Sequence, residues 1–328
     1  MQLDLAIVIV NYNTRELLCD CLNSTFESQG DFVYQVCVVD NNSSDGSAAL
    51  VRKAFPQVRL IESRVNGGYA YANNLGLRAM GFDARQAADS SPFSYPRYVL
   101  VLNSDTILPP SALREMLAFM DAHPEAGAAG PRLVLPNGRL DRACRRSFPT
   151  PEVAFYRLSG LSLLFPRSRR FGRYNLGYFD PAETTEVDSL TGAFMMMRGE
   201  TVQQVGLLDE SFFMYGEDLD WAYRIKQAGW KIYYNADVTV LHYKEAASKG
   251  DRAIRRKTRY EFYRAMYLFY RKHYAATTPF WLHGLVLTGL VLRGGVALLS
   301  EGLKSLVAKK QQETNQAKGT VEATEATQ

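Results

Sequence analysis

The first third of the chain alternates short β-branched runs with helical patterns, and this alternation constrains the fold most strongly. The runs LAIVIV, VCVVD, VRLIE and YVLVLN are separated by stretches with helical spacing around Leu17 to Leu22, from Ser47, and from Ala70 to Ala79. Such alternation predicts an α/β domain whose mostly parallel central sheet is flanked by helices on both faces. LAIVIV is too short for a membrane span or a signal-peptide core, so it is predicted to be the first strand.

Three of these predicted strands end in polar residues. NYN supplies Asn11 and Asn13, DNNSSDGS begins with Asp40, and NSD runs from Asn103 to Asp105. Because the carboxyl ends of parallel strands meet at one edge of a sheet, the loops that follow them tend to carry function. We therefore expect a site where these three loops converge.

Composition limits the possibilities without naming a function. The 328 residues are 47% hydrophobic and 22% charged, which suits one large α/β domain with an appendage. The four cysteines form no CxxC pair and no zinc-like spacing with histidine, so we expect buried thiols in a reducing cytoplasm. Between Lys244 and Lys272 ten basic residues face three acids, a local charge of +7 that leaves the remainder at −3 of the total +4. An anionic surface or ligand is expected there.

The polar strand ends allow both functional and structural interpretations. A carboxylate at Asp40 can accept a hydrogen bond from the imide N–H of uracil or thymine, but Asp40 and Asn42 could equally cap the next helix. Asp105 could share Mg²⁺ or Mn²⁺ with the diphosphate of a ligand, or it could cap the helix predicted near Ser111. The position of Asp105 beside two other polar strand ends favours the metal interpretation.

Two further motifs add to this set. In NGGYAYANNLG, Gly67 and Gly68 free the backbone to approach a ligand, and Asn74 offers an amide near a helix start; the motif is not GxGxxG, so a nicotinamide cofactor is not indicated. His242 ends the run VTVLH, where a single histidine is usually structural unless other ligand-like groups converge on it.

The motif MYGEDLDWAYR gives the sharpest signal. Glu217 and Asp218 follow Gly216 at a helix start, where the helix dipole stabilises acids, and Asp220 and Arg224 suit an i,i+4 surface pair. The apolar run FFMY just before them would partly desolvate the two carboxylates and raise their pKa values. Adjacent helix residues diverge by about 100°, so the two acids cannot form the opposed pair of a glycosidase, and one base is indicated.

The rest of the chain is less regular. Between Pro131 and Asp188 the pattern predicts a long mobile excursion over the active site, followed by the strands GAFMMMR, KIYYN and VTVLH and a helix that ends at Gly229. From residue 251 a helical stretch carries tyrosines three or four apart, which predicts one aromatic stripe: Tyr260, Tyr263, Tyr267, Tyr270 and Tyr274.

These motifs, taken in order with VDSLTGAFMMMR and GLLDESFFMYGEDLDWAYR, resemble the family 2 glycosyltransferases of the GT-A fold, in particular bacterial rhamnosyltransferase-like enzymes of cell-surface polysaccharide synthesis. The resemblance spans Ile7 to about Lys244. It implies that Asp40 binds the base, that the loop from Asn66 to Asn74 holds the nucleotide, and that Asp218 is the catalytic base. Asp105 corresponds to the last carboxylate of the DxD metal motif.

The resemblance also implies a full set of site residues. Its metal ligands, for Mg²⁺ or Mn²⁺, are Asp105 and His242. Asn103 replaces the first Asp of the DxD motif, and Ser189 follows Asp188 where many relatives carry Trp. Its donor contacts are Asn11, Asn13, Asp40, Asn42, Gly67, Gly68, Asn74, Asn103, Ser104 and Asp105, and its acceptor contacts are Asp188, Thr191, Gly192 and Glu217.

The function expected from these residues is inverting transfer of a sugar, best L-rhamnose from dTDP-rhamnose, to a saccharide acceptor linked to a lipid pyrophosphate. A nucleotidyltransferase on a similar sheet would release pyrophosphate instead. A nucleic-acid-binding protein could use the basic, tyrosine-rich stretch, but it leaves the acidic strand ends unexplained, so no nucleic-acid partner is expected.

The C-terminal region predicts where the enzyme works. The domains expected are 1–245 for catalysis, 246–275 as a basic aromatic helix, 276–310 as an apolar membrane-associated segment and 311–328 as a disordered tail. Because His283 and Arg293 interrupt the apolar segment, we expect a helix lying in the cytoplasmic face of an anionic membrane, with Lys304, Lys309 and Lys310 at the headgroups. The alternative is that the stripe packs on the catalytic domain and the apolar segment is a dimer contact.

Overall fold

A computed structural model describes residues 3–82, 95–244 and 252–297. The lysines at 304, 309 and 310 and the tail from residue 311 lie outside these ranges, as does the start of the basic stretch between 245 and 251. The predicted alternation is confirmed in the N-terminal half by these elements: β1 (Leu5–Asn11), α1 (Arg15–Phe26), β2 (Tyr34–Asp40), α2 (Ser47–Ala54), β3 (Arg59–Glu62), α3 (Tyr69–Ala79) and β4 (Tyr98–Asn103).

The second half completes one sheet. Its elements are β5 (Thr106–Ile107), α4 (Ala112–Ala122), β6 (Ala126–Val134), α5 (Pro151–Leu158), α6 (Leu161–Leu164), β7 (Thr185–Glu186), β8 (Phe194–Arg198), α7 (Gly199–Val205), α8 (Glu217–Gln227), β9 (Lys231–His242), α9 (Arg252–His273) and α10 (Phe280–Ala297).

The sheet has the order β3-β2-β1-β4-β8-β6-β9-β5, with β7 on β9. The strands β3, β2, β1 and β4 are parallel, so Asn11 lies in register with Asp40 and the loops after them share one edge. β8 inserts antiparallel between β4 and β6, and β5 and β7 are also antiparallel to β9. The sheet is therefore parallel on the side of the three polar loops and mixed beyond it.

Two expectations about the second half are wrong in detail. KIYYN and VTVLH form one strand, β9, because the chain continues through a register shift against β6 at Pro131 and Arg132 without turning. The excursion from Pro131 to Asp188 is not wholly irregular, since it begins with the end of β6 and contains α5, α6 and two 3₁₀ turns. Proline at the start of α5 and the cap from Thr150 to the Val153 N–H explain that helix locally.

The helix α9 packs against α8 and the segment before it. Ala265 and Phe269 bury against Phe212 and Leu219 beside α8. The prediction of a single tyrosine stripe is only partly met: Tyr270 is buried, whereas Tyr260 and Tyr267 are exposed.

Asp220 ties α8 to α9. Asp220 and Arg224 do pair, at 2.9 Å, but Asp220 is fully buried, so the prediction of a surface pair is wrong. The reason is that Lys272 and His273 of α9 each approach Asp220 to 2.7 Å.

Candidate active site

The loops after β1, β2 and β4 converge at one edge of the sheet. The amide of Asn11 donates to a carboxylate oxygen of Asp40 at 3.2 Å, and the Thr14 hydroxyl donates to Asn11 at 2.7 Å. The same Thr14 hydroxyl lies 2.9 Å from the hydroxyl of Ser104, which follows β4. Side-chain hydrogen bonds therefore connect all three polar loops.

The capping alternatives do not describe the structure. α2 begins after Gly46, and the Ser47 N–H is accepted by Asp45, so neither Asp40 nor Asn42 caps that helix. α4 is preceded by Ser111 rather than Asp105.

Asp40 instead fixes its own loop. Its second oxygen accepts the Ser43 N–H at 2.9 Å. Asn13 and Asn42 adopt left-handed backbone angles, with φ values of 53° and 66°, which asparagine tolerates better than most residues. Asn13 accepts the Ser44 N–H at 2.8 Å, whereas Asn42 is exposed at the mouth of the loop.

The glycines of the next loop are required by protein packing. Gly68 has a φ of 91°, and a side chain there would collide with the backbone carbonyl of Phe213. A side chain at Gly67 would collide with the ring of Tyr71. These contacts explain why small residues occur here without invoking a ligand.

Asn74 is a buried residue inside α3 rather than part of a loop. Its amide donates to the Leu208 carbonyl at 2.9 Å and to Glu210 at 2.8 Å, and its oxygen accepts the Leu208 N–H at 3.1 Å. All of its polar atoms hold two protein segments together, and we leave it out of the donor site proposed below.

Asp105 and His242 face each other across paired strands. Thr106 of β5 lies in register with His242 of β9, and the Asp105 carbonyl accepts the Tyr243 N–H at 2.9 Å. This pairing brings Asp105 Oδ1 to 3.3 Å from His242 Nε2. The second ring nitrogen, Nδ1, lies 2.9 Å from Asp141 Oδ2.

Charge is concentrated around this histidine. Burial alone would lower the pKa of His242, but the hydrogen bonds to Asp105 and Asp141 outweigh it and raise the pKa to about 9. Lys244 donates to the other oxygen of Asp141 at 2.6 Å. Burial would raise the pKa of Asp141, but the hydrogen bonds from His242 and Lys244 hold it well below its usual range. Asp141 is thus a permanent anion that orients the imidazole.

The chemistry of this pair suits a divalent cation. A carboxylate oxygen and an imidazole nitrogen are both metal ligands, and a second carboxylate on the far side of the ring is the usual support of a metal-bound histidine. In the described ranges no group of three or more His, Cys, Asp or Glu side chains has the arrangement of a metal site. A cation held by Asp105 and His242 would therefore need further oxygens, which a diphosphate provides. Asn103, a neutral residue two positions before Asp105, is the last residue of β4.

Asp218 lies at the start of α8 within a cluster of donors. Its Oδ2 accepts the Gly192 N–H at 3.2 Å and a guanidinium N–H of Arg146 at 2.7 Å. Its Oδ1 accepts the Leu219 N–H at 2.7 Å. The Arg146–Asp218 contact is buried, with 10% of each side chain exposed, so the carboxylate is held in a fixed orientation.

Glu217, next to it, lies in a different environment. Burial and the charge of Asp218 raise the pKa of Glu217 to about 8. Its Oε2 is buried and has no hydrogen-bond partner in the structure. The expected rise of pKa is thus met at Glu217, which holds its proton at neutral pH.

Tyr69 connects the two sides of the site. Its hydroxyl donates to the Gly192 carbonyl at 2.7 Å, and a side chain on Gly192 would meet that hydroxyl at 2.9 Å. Burial and then the charges of Glu217, Asp218 and Asp105 raise its pKa well above the usual value. All three carboxylates thus lie close enough to one phenol to act on it.

The remaining predicted acceptor residues bind backbone N–H groups of the protein. Asp188 accepts the Phe148 N–H at 3.1 Å, and Thr191 Oγ1 accepts the Ala193 N–H at 3.4 Å. Ser189, in the position where the resemblance predicts Trp, accepts from Arg146 through both its carbonyl and its hydroxyl.

Three residues of the site were not predicted: Tyr69, Asp141 and Arg146. Tyr69 lies in the motif NGGYAYANNLG, directly after the two glycines. An aromatic residue at that position was the one sequence feature that could have indicated its role in the site. Asp141 and Arg146 lie in the irregular region after β6, and only their long-range partners, His242 and Asp218, reveal them.

Comparison with known proteins decides the family. A family model described as glycosyltransferase like family 2 matches residues 3–262, which reaches from β1 into α9. The chain belongs to this family. The predictions of a family 2 glycosyltransferase and of an enzyme are thereby confirmed.

Individual relatives carry related activities in their names. The chain is 30% identical over 218 residues to the N-acetylglucosaminyl-diphospho-decaprenol L-rhamnosyltransferase of Mycobacterium tuberculosis, covering 66% of this chain and 69% of that protein. It is 23% identical to the rhamnosyltransferase WbbL of Escherichia coli K12, covering 72% and 82%.

The likeness extends to the fold. The mannosyltransferase PcManGT of Pyrobaculum calidifontis, solved in complex with GDP-Man and Mn²⁺, superposes with a TM-score of 0.53 and 17% identity, covering 94% of this chain and 76% of that one. The GT-A fold is confirmed, with the mixed sheet described above.

Proposed function

We propose that this glycosyltransferase moves L-rhamnose from dTDP-rhamnose, with inversion, to a saccharide linked to a lipid pyrophosphate in surface polysaccharide synthesis. The names of the M. tuberculosis and E. coli relatives support the sugar, and the first also supports a lipid-diphosphate acceptor. One observation carries the proposal: the carboxylates of Glu217, Asp218 and Asp105 all raise the pKa of the Tyr69 hydroxyl, so the proposed base and the proposed metal ligand lie near one side chain. Such a site can hold a charged donor and deprotonate an acceptor beside it.

On the donor side, Asp40 is proposed to accept the imide N–H of the base, with Asn11 and Asn13 keeping its loop in place. Asp105 and His242 would hold Mg²⁺ or Mn²⁺ together with the diphosphate oxygens. When bound, the cation neutralises charge that develops on the departing nucleoside diphosphate. Asp141 keeps the imidazole turned toward Asp105.

On the acceptor side, Asp218 is proposed as the base. It removes the proton from an acceptor hydroxyl, the oxygen forms a bond to the anomeric carbon, and the bond from that carbon to the nucleoside diphosphate breaks. The Gly192 and Leu219 N–H groups and Arg146 fix the carboxylate for this role. Glu217, which stays protonated, can donate a hydrogen bond to the acceptor, and Asp188, Thr191 and Gly192 line the same side.

The proposed place of work is the cytoplasmic face of the membrane. α10 is long and apolar enough to cross a bilayer, with a mean hydropathy of 1.4 and only 17% of its residues buried. Arg293 within it favours a helix that lies in the interface rather than spanning it. Truncation after Tyr274 is expected to release the protein from anionic liposomes and to slow transfer to a lipid-linked acceptor more than donor hydrolysis.

The test of the reaction is a screen of nucleotide sugars for release of nucleoside diphosphate, with and without Mn²⁺ or Mg²⁺. Release from dTDP-rhamnose that depends on the cation is the expected result. Release of pyrophosphate would instead identify a nucleotidyltransferase. Efficient use of a different nucleotide sugar would support the glycosyltransferase reaction but overturn the assignment of rhamnose as the sugar.

A further inference from the structure

A short helix in the segment above the active site exposes three adjacent apolar side chains. This apolar tip consists of Leu163, Leu164 and Phe165, which are 72%, 72% and 52% exposed. Single surface hydrophobics are common, but three large ones in succession on one turn mark a contact surface.

The turn that displays the apolar tip is well packed from behind. The ring of Phe165 lies 5.7 Å from that of Phe171, which in turn meets Tyr156 edge-on at 4.9 Å. Side chains at Gly172 or Gly177 would collide with the carbonyl of Pro166, so the chain folds closely around the base of the tip. The three exposed side chains are therefore carried by a turn that the packing behind it holds in place.

Positive charge follows directly. Arg167, Arg169, Arg170 and Arg173 are all exposed. Glu152 lies 4.0 Å from Arg170 and 3.6 Å from Arg173, and it is the single acid paired with this group in the described part of the chain. An apolar wedge bordered by surplus arginines is the pattern that binds the interface of an anionic bilayer.

The apolar tip also lies beside α10. The guanidinium of Arg293 in α10 donates to the carbonyl of Leu158, three residues before α6 begins. α10 exposes large apolar side chains close to this contact, namely Val291 at 72%, Leu292 at 63% and Val296 at 61%, which lie within about one turn of Arg293. The Arg293 contact therefore holds an exposed apolar stretch of α10 against the segment that leads into the apolar tip.

We propose that the apolar tip is a second membrane contact, which inserts beside α10 into the headgroup region of an anionic phospholipid bilayer. The proposal rests on the membrane location proposed above and deepens it. The arginines select a bilayer over an apolar protein partner, because their charge is complementary to anionic headgroups.

The same segment reaches the proposed base. At one end Arg146 pairs with Asp218, and at the other Asp188 accepts the Phe148 N–H, so both ends are joined beside the active site. A saccharide whose lipid lies in the bilayer under the tip would extend toward Asp218. Membrane contact by the tip would therefore also help to position the acceptor.

The test compares full-length variants in sedimentation with vesicles of phosphatidylcholine containing phosphatidylglycerol. We expect the double variant Leu163→Ser/Leu164→Ser to bind at least about tenfold more weakly than the parent, since two large apolar side chains leave the interface. The matched control is Val33→Ser, at an exposed valine before β2, which should bind as the parent does. Unchanged binding of the double variant would overturn the proposal.

A charge variant keeps the test decisive if the first variant folds poorly. Arg167→Glu/Arg169→Glu should lose at least about tenfold in binding to anionic vesicles and far less on neutral ones. Arg114→Glu, on α4, is its control. Equal binding of this variant and its control would contradict the proposal. A tip variant that changes the sedimentation coefficient of the protein but not its vesicle binding would also contradict it, because the apolar tip would then contact a second copy of the chain.

The outcome is separable from that of the proposed reaction. Donor hydrolysis in solution should be the same in all these variants, because the apolar tip supplies no donor contact. If no variant consumed dTDP-rhamnose, the rhamnosyl assignment would fail, and the vesicle data would still decide whether the tip binds membranes.

Discussion

The donor side and the acceptor side of the site differ in how fully their charged side chains are paired. On the donor side Asp40, Asp141 and His242 are each held by two or more partners. On the acceptor side Glu217 Oε2 and Arg146 Nε are buried without a hydrogen-bond partner.

The difference indicates which side of the site has polar atoms left for a ligand to pair. Leaving a buried polar atom unpaired costs about 1–3 kcal/mol, so such atoms in an active site are expected to await a ligand. On the proposed assignment, the donor loops would be organised before the nucleotide binds, whereas the acceptor would supply the missing partners on its own side. Substitutions on the two sides should therefore affect different kinetic quantities.

The largest effect is expected for Asp218→Asn. The amide keeps the shape but cannot accept a proton, so turnover should fall by about 10³-fold or more while donor affinity stays within a few-fold of the parent. Steady-state kinetics and titration calorimetry would measure the two quantities. Asp209→Asn, at a carboxylate that binds Lys272 outside the site, is the control and should keep its turnover. Near-parental turnover in Asp218→Asn would remove this residue as the base.

On the donor side the corresponding change is Asp105→Ala. Loss of support around a metal ligand alone typically costs 10–100-fold, so removing the carboxylate itself should weaken metal-dependent donor binding by about 100-fold or more. Donor titrations with Mn²⁺ and with a chelator would measure it. Donor affinity that stayed equal to the parent's in the presence of Mn²⁺ would exclude Asp105 as a ligand.

Arg146 tests how the acceptor side is built. Removing one partner of a buried ion pair costs about 3–5 kcal/mol, and Arg146→Met should also lower kcat, by about tenfold, because Asp218 loses an orienting donor. Arg146→Lys should recover part of both losses.

Arg145→Met is the matched control for Arg146, because the guanidinium of Arg145 bonds the carbonyls of Phe179 and Asp180 instead of a site carboxylate. It should lose stability in urea unfolding with kcat retained. If both methionine variants lost only stability, Arg146 would be a structural residue.

His242→Ala should be milder, and it belongs to the donor side. Asp105 remains in this variant, so the expected defect is a metal requirement raised by about tenfold at near-normal kcat in saturating Mn²⁺. A metal titration of activity would show it. An unaltered titration would return His242 to a structural role in which it only links Asp105 to Asp141.

The sequence predicted the convergence of the three polar loops because that convergence follows local rules. Strand runs, their polar ends and the parallel pairing of β1, β2 and β4 together placed Asn11, Asp40 and Asp105 at one edge. Each of these inferences needs only a run of residues and the geometry of a parallel sheet.

The acceptor side was less predictable because it depends on contacts between distant residues. Arg146 and Asp218 are 72 residues apart, and nothing in the irregular region around Arg146 marks it among its neighbouring arginines. Asp220 was misread as exposed because its helix carries other charges, while the partners that bury it, Lys272 and His273, lie on α9.

The smallest effect concerns the proton on Glu217, which faces Asp218, Arg146 and Tyr69. Its pKa is raised from 4.5 to about 8 by burial and by Asp218, so between these values the folded protein holds a proton that the unfolded chain has lost. The free energy of unfolding should therefore fall as pH rises through this window, by at most about 1.4 kcal/mol per pH unit from this group, and level off above it. Glu217→Gln removes that slope. The parent and the variant should have similar stability in urea at pH 4.5 and diverge toward pH 8 in favour of the variant, with turnover lowered only a few-fold. Parallel stability curves would mean that Glu217 is ionised in the folded protein and does not donate a hydrogen bond to the acceptor.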